Sequence, residues 1–76
     1  MTDGEVVRIG SRVCIRDADG EAEFDLVEPH EADPIAERVS CDSPLGRALI
    51  GRHVGDRVEF RAPGGVLAVI VVAVRS

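Results

Sequence analysis

One short helix is encoded from its start to its end by the segment Cys41-Asp42-Ser43-Pro44-Leu45-Gly46-Arg47-Ala48-Leu49-Ile50-Gly51. Ser43 is a good acceptor for an unpaired N–H at a helix start, and Pro44 fits the first helical position, where no donor is needed. Gly51 ends the helix because glycine adopts the left-handed conformation at low cost. The segment therefore predicts a helix with a sharp entry and a sharp exit.

The spacing of apolar residues gives this helix two different sides. Leu45, Leu49 and Ile50 are predicted to lie on one side and to dock on the rest of the protein. Arg47 and Arg52 are predicted to face away from it, near the helix C-terminus, where positive charge is favoured. The helix is therefore expected to cover a core.

Alternation of polar and apolar residues predicts β-strands on both sides of the helix. Asp19-Gly20 predicts a two-residue hairpin turn, and Pro63-Gly64-Gly65 predicts a second turn. The predicted strands are 6–16, 21–28, 38–41, 56–62 and 66–75. The residues predicted to face inward are Val13, Ile15, Phe24, Leu26, Val58 and Phe60. The predicted fold class is α+β, an antiparallel sheet curled over one short helix.

The last predicted strand is apolar on both of its alternating faces. Its outward positions are Val66, Ala68 and Ile70. An apolar outer face is an adhesive surface unless something covers it. Two interpretations stay open: a neighbouring loop or the N-terminal residues lie over this face, or it contacts a protein, including a second copy of the chain.

The size of the chain fits one small domain. It has 76 residues, of which 45% are hydrophobic, and we expect a flexible N-terminus over 1–5 and a single domain over 6–76. Cys14 and Cys41 form neither a CxxC pair nor a disulfide framework, so reduced thiols are expected. Neither a signal peptide nor an apolar run of bilayer length is recognisable, which predicts a soluble cytoplasmic protein without a membrane partner.

The charge is negative and unevenly distributed. The net charge is −5, and ten of the fourteen acidic residues fall between Asp17 and Asp42, where Arg38 is the only arginine. An acidic face repels phosphate backbones, so direct binding of nucleic acid is not expected.

The residues that usually carry chemistry occur without their usual companions. His30 and His53 have no metal-ligand spacing around them, and Ser43 has no histidine partner in the sequence. The glycines form no phosphate-binding motif, and the acidic residues around Glu31 and Asp33 lack a calcium-loop pattern. We therefore expect no catalytic residues, no metal and no cofactor.

Five further segments accompany the helix in a recognisable order. They are Gly10-Ser11-Arg12-Val13, Phe24-Asp25-Leu26-Val27, Glu31-Ala32-Asp33, Gly55-Asp56 and Ala62-Pro63-Gly64-Gly65. Together with the helix they resemble the C-terminal domain of the bacterial GreA/GreB transcript-cleavage factors over roughly residues 6–75. The resemblance implies an FKBP-like fold. It also implies that positions 66, 68 and 70 tend to be charged, and that position 46 is alanine in some relatives.

The resemblance further implies a binding function. In the family, this domain docks on the coiled coil of the RNA polymerase β′ subunit at the rim of the secondary channel, and the residues matching the contact segment are Asp42, Ser43 and Pro44. Arg47 and the acidic loop with Glu31 and Asp33 are added as expected contacts. RNA cleavage belongs to an N-terminal coiled coil that is not recognisable in this sequence, so a non-catalytic module is expected.

Two other functions stay open. The first is a structural or regulatory protein that forms homo-oligomers through Val66, Ala68 and Ile70. The second is an FKBP-type prolyl isomerase, which needs a pocket lined by several aromatic rings. The chain has two Phe, no Trp and no Tyr, so the isomerase is the weakest of the three hypotheses.

Overall fold

A computed structural model describes residues 6–75 of the chain. Residues 1–5, predicted to be flexible, lie outside the described residues. The elements in chain order are β1 (Arg12–Asp17), β2 (Gly20–Val27), a 3-10 helix (Pro29–Glu31), β3 (Arg38–Ser40), α1 (Pro44–Leu49), β4 (Arg57–Ala62) and β5 (Gly65–Arg75).

The five strands form one sheet in the order β3-β2-β1-β5-β4. β1 pairs antiparallel with β2 and β5, and β4 pairs antiparallel with β5. β3 pairs parallel with β2, so the sheet is mixed rather than wholly antiparallel as predicted. The connection 28–37 carries the chain back along β2 before β3 begins, which a two-residue hairpin does not allow.

The first hairpin differs by one residue from the prediction. Its loop is Ala18-Asp19, and Gly20 already pairs with Asp17 as the first residue of β2. The Asp17 Oδ1 accepts the N–H of Asp19 at 2.8 Å, and Gly20 has a φ of 133°. Asp17 therefore closes the turn, and the glycine is needed at the position after the loop.

The first strand begins later than predicted. Val7 pairs instead with the chain after α1: its N–H donates to Arg52 O at 2.8 Å, and its carbonyl accepts the N–H of Gly51 at 2.9 Å. Gly10, with a φ of 97°, and Ser11 then turn the chain into β1 at Arg12. The N-terminal segment thus ties the end of the helix to the sheet.

A β-bulge in β5 explains part of its apolar character. Cys14 pairs with Ala73 while Ile15 pairs with Val71, which leaves an extra residue in β5. An extra residue reverses the alternation of faces. Val69 and Val71 are buried before the bulge, and Val74 packs against the core after it.

The core lies between the concave side of the sheet and α1. Its buried apolar residues are Val7, Val13, Ile15, Phe24, Leu26, Leu49, Val58, Val69 and Val71. Leu49 is 0% exposed, whereas Ile50 is 41% exposed, so the prediction that Ile50 shares the apolar side of the helix is wrong. Ile50 has already left the helical conformation, with φ −54° and ψ 128°, which redirects its side chain.

Candidate partner-binding site

The entry to α1 is a rigid corner built by Ser43. Its Oγ accepts the N–H of Gly46 at 3.0 Å and donates to the carbonyl of Ser40 at 2.7 Å. Pro44 follows as the first helical residue and is exposed. The predicted helix cap is confirmed, and the hydroxyl of Ser43 holds the corner by donating one hydrogen bond and accepting another.

Gly46 lets the helix lie directly on the chain that leads into it. A Cβ at this position would overlap the carbonyl oxygen of Ser40 and come within 2.9 Å of the Cα of Cys41. The residue is buried in the described structure. The backbone of the corner and the first turn of α1 therefore form one packed unit.

Asp42 and Arg47 form an ion pair on the surface of this corner. The Asp42 Oδ1 lies 3.1 Å from Arg47 Nη2 and 3.3 Å from Arg47 Nε. The side chains are 65% and 71% exposed, respectively. An exposed pair of this kind adds little stability, so both charges remain accessible to a partner. The two residues were expected as separate contacts, and the structure joins them.

The acidic loop is ordered by its own hydrogen bonds. Glu31 Oε1 accepts the N–H of Glu28 at 3.4 Å, at the start of the 3-10 helix. Asp33 Oδ1 accepts the N–H of Ile35 at 3.1 Å, and the backbones of Asp33 and Arg38 exchange bonds of 3.0 and 2.9 Å. The carboxylates of Glu31 and Asp33 thus support the loop and also lie in exposed residues.

The sheet brings only part of the predicted set together. Because β2 and β3 are parallel, their C-terminal ends lie side by side at the same end of the sheet. There the N–H of Cys41 donates to Val27 O at 2.8 Å. The start of the acidic loop and the helix corner are therefore neighbours. Asp33 lies at the other end of β3, since it pairs with Arg38.

Ile35 is a surface residue that sequence reasoning missed. Its side chain is 95% exposed in the loop between Asp33 and β3. The prediction gave Ile35 no role, although an isoleucine directly after Pro34 was a visible signal. The loop therefore presents an apolar side chain as well as carboxylates.

The family follows from comparison with known proteins. A family model described as "Transcription elongation factor, GreA/GreB, C-term" matches residues 2–76. The chain belongs to the GreA/GreB family. The resemblance predicted from the six segments of sequence is thereby confirmed.

Individual GreA/GreB relatives agree with this assignment. The chain is 49% identical over 76 residues to transcription elongation factor GreA of Thermotoga neapolitana, covering 97% of the chain and 49% of the relative. It is 48% identical over 64 residues to GreA of Rhodospirillum rubrum, covering 82% of the chain and 41% of the relative. The chain spans about half the length of the curated relatives that it matches.

Solved structures of the family have the same fold. The GreA factor homolog Gfh1 of Thermus thermophilus matches with a TM-score of 0.82 and 33% identity, over 97% of this chain and 51% of that one. A GreA/GreB factor from Nitrosomonas europaea matches with a TM-score of 0.78 and 37% identity, over 96% and 62%. The FKBP-like arrangement expected from the resemblance is confirmed, with the mixed sheet noted above.

The GreA/GreB-like domain exposes the apolar stripe of β5, which we define as Val66, Ala68 and Ile70. Val66 is 64% and Ile70 is 38% exposed, so no described loop covers these two residues. The stripe lies inside the sheet and not at its edge, because β4 is the outer strand. Its partners across β4 are Arg61, Glu59 and Arg57, in that order, so charged side chains flank it.

The groups considered for catalysis lie apart in this GreA/GreB-family domain. Phe24 is in the core, and Phe60 lines an open apolar concavity of about 310 Å³ with Ile15 and Leu67. His53 Nδ1 lies 3.8 Å from Asp56 Oδ2, and both side chains are exposed. Within residues 6–75, no three His, Cys, Asp or Glu side chains gather as metal ligands.

The described part of the chain contains no helix long and apolar enough to cross a membrane.

Proposed function

We propose that this domain is a non-catalytic module that binds RNA polymerase in the cytoplasm and regulates transcription elongation. Its docking point is the coiled coil of the β′ subunit at the rim of the secondary channel. Membership of the GreA/GreB family supports the polymerase as partner, and the curated relatives carry the name of transcription elongation factors. The structural observation that carries the proposal is the rigid, exposed corner at the start of α1.

Each residue of the corner has its own part in this proposal. Asp42 and Pro44 contact the partner directly, since both are exposed. Ser43 acts by holding the corner, because its hydroxyl is already bonded twice. In the free domain, Arg47 keeps the Asp42 carboxylate in place through their ion pair. On binding, Arg47 leaves this pair and contacts a group of the partner.

The acidic loop has a supporting part. Glu31 places negative charge on the loop beside the corner, and Asp33 places negative charge at the other end of β3. Because both charges are negative, the partner surface is basic. Complementary charge of this kind increases the association rate and the specificity more than the affinity. The same charge disfavours a direct contact with nucleic acid.

The test is a titration of the chain against core RNA polymerase by biolayer interferometry. We expect saturable binding that is lost with polymerase lacking the β′ rim coiled coil. Asp42→Arg is expected to weaken binding at least tenfold, because it opposes a basic surface and removes the Arg47 pair. The fold is expected to persist, since the replaced pair is exposed.

Asp19→Arg is the matched control for this substitution. It makes the same change of charge at the first hairpin turn, at the end of β1 and β2 opposite to the corner. We expect it to bind like the parent. Equal loss of binding for both variants, or binding that survives deletion of the rim, would contradict the proposed docking point.

A second candidate is self-association through the apolar stripe, favoured by the exposure of Val66 and Ile70. In this case the protein is a homo-oligomer and the stripe is its seam. Size-exclusion chromatography with light scattering distinguishes the two functions. A dimer at micromolar concentration that Ile70→Arg dissociates supports this candidate, and a monomer at that concentration rejects it.

A further inference from the structure

Ile35 is the most exposed of the large apolar side chains in the described part of the chain. It is 95% exposed, and the next most exposed of these side chains, Val66, is 64% exposed. Transfer of an isoleucine side chain out of water is favourable, and the folded domain gains none of that free energy at this position. A partner that covers Ile35 gains it in full.

The loop that carries Ile35 holds it in one place. The Asp33 carboxylate accepts the N–H of Ile35, and the carbonyl of Asp33 accepts the N–H groups of Ala36 at 3.1 Å and of Arg38 at 2.9 Å. Glu37 closes the loop in the left-handed region, with a φ of 60°. Because the loop is already ordered, little conformational entropy is lost when a partner covers its tip.

The charge around Ile35 identifies the chemistry of that partner. Arg12 of β1 lies within 4 Å of Glu23 and Asp25 of β2, and also reaches Glu37. Arg16 pairs with Glu21 in the same way. Two arginines of β1 therefore pair with these four acidic side chains and offset half of their charge.

The loop before Ile35 has no such compensation. Among residues 6–75, no cationic group lies within 4 Å of the carboxylates of Glu28, Glu31 or Asp33. Arg38, the only arginine between positions 17 and 42, offsets one of these three charges. A surround that keeps a net negative charge repels anionic lipid and nucleic acid and attracts a basic protein surface.

We propose that Ile35 is an anchor that inserts into an apolar cleft rimmed by lysine or arginine side chains on RNA polymerase. This inference rests on the proposed function and adds a second contact to the corner at Asp42. The two contacts lie before and after β3 (Arg38–Ser40), a strand of roughly 10 Å, so a single large partner can reach both.

The experiment compares Ile35→Ser with Ile35→Leu in the full chain, titrated against core RNA polymerase. Serine removes the apolar group, and we expect the dissociation constant to rise about tenfold or more, chiefly through faster dissociation. Leucine keeps the volume and apolar character and is expected to bind within about threefold of the parent. Both variants are expected to unfold in urea like the parent, because the side chain is exposed.

Val54→Ser is the matched control, since it makes a similar change at an exposed valine that belongs to none of the proposed contact surfaces. We expect it to leave binding unchanged. If Ile35→Ser binds like the parent while Asp42→Arg does not, the anchor is rejected and the docking corner stands. If Val54→Ser weakens binding as much as Ile35→Ser, a specific anchor is also rejected. If the parent does not bind at tens of micromolar, both the anchor and the proposed function are rejected.

Discussion

Gly46 is the residue at which the packing of the corner is tightest. An added methyl group would meet backbone atoms of Ser40 and Cys41, which cannot rotate away as a flexible side chain does. Overpacking of this kind costs about 1–3 kcal/mol, against a gain in helix propensity of up to about 1 kcal/mol from replacing glycine. We therefore expect Gly46→Ala to lower the free energy of unfolding, measured by urea denaturation.

Gly64→Ala is the control for that substitution. A Cβ at Gly64 meets no atom within 4 Å, and its φ is not positive, so no clash and no backbone strain arise. We expect its stability to match the parent. Equal stability of Gly46→Ala and the parent would show that the helix shifts away from Ser40 without cost.

The thiol of Cys14 is predicted to react slowly with alkylating reagents. Burial, the Glu21 and Glu23 carboxylates and a hydrogen bond to Glu21 raise the pKa of Cys14. A raised pKa lowers the thiolate fraction at neutral pH, and the thiolate is the reactive form. In a Cys41→Ala background, alkylation by iodoacetamide is expected to be slower than that of free cysteine at pH 8 and to accelerate as the pH rises further.

Glu21→Gln tests the electrostatic cause of that shift. It removes one carboxylate and releases Arg16, whose charge favours the thiolate. Faster alkylation of Cys14 at the same pH is the expected result. An unchanged rate would leave burial and the Glu23 carboxylate as the causes of the slow reaction.

At the scale of single residues, the sequence predicts the features that depend on adjacent positions. Ser43 and Gly51 were identified correctly because a cap and a left-handed end are local properties. The pair between Asp42 and Arg47 was not predicted, since Asp42 lies outside the helix and the i, i+5 spacing is not a helical neighbour. Exposure of Ile35 depends on the path of its loop, which no local rule gives.

α1 is stabilised by the part of its surface that faces the core. Leu49 is 0% exposed and belongs to the central cluster. Loss of a buried leucine side chain costs about 2–5 kcal/mol, so Leu49→Ala is expected to reduce the free energy of unfolding by that amount in urea. Ile50→Ala, at a 41% exposed neighbour, is expected to cost far less. Similar costs for the two substitutions would contradict the described orientation of the helix end.

At the scale of elements, the sequence predicts the helix and the five strands, but it does not predict how all of the strands pair. Strand alternation identified Val13, Ile15 and Leu26 as buried, because one face of each strand meets the core. The parallel pairing of β3 and the bulge in β5 were not predicted, since both depend on which strands lie side by side. Such contacts join residues far apart in the chain and leave no periodic signal within one strand.

The whole molecule separates its acidic residues into two environments. On the convex face of the sheet, Arg12 and Arg16 pair with neighbouring carboxylates. On the loop after β2, Glu31 and Asp33 have no cation within 4 Å among the described residues. Among the described residues, negative charge without a paired cation therefore lies on the loop beside the corner that we propose as the docking site, and also at Asp17 and Asp19 of the first hairpin.

This distribution predicts a salt-dependent association with RNA polymerase. Screening shortens the range of exposed charges to about 10 Å at 0.1 M salt and about 3 Å at 1 M. Long-range attraction acts on the encounter, so we expect the association rate to fall about tenfold between roughly 0.05 and 0.5 M NaCl, with a smaller change in the dissociation rate.

The double variant Glu31→Gln with Asp33→Asn distinguishes local from overall charge. Both replacements keep the side-chain oxygens that accept the loop hydrogen bonds, so the loop is preserved while two charges are removed. We expect a lower association rate at low salt and a weaker dependence on salt. Asp17→Asn with Asp19→Asn removes the same charge at the opposite end of the sheet and is expected to change the rate less. Equal effects of the two double variants would mean that net charge alone steers the encounter, and an association rate independent of salt would mean that the partner surface is not basic.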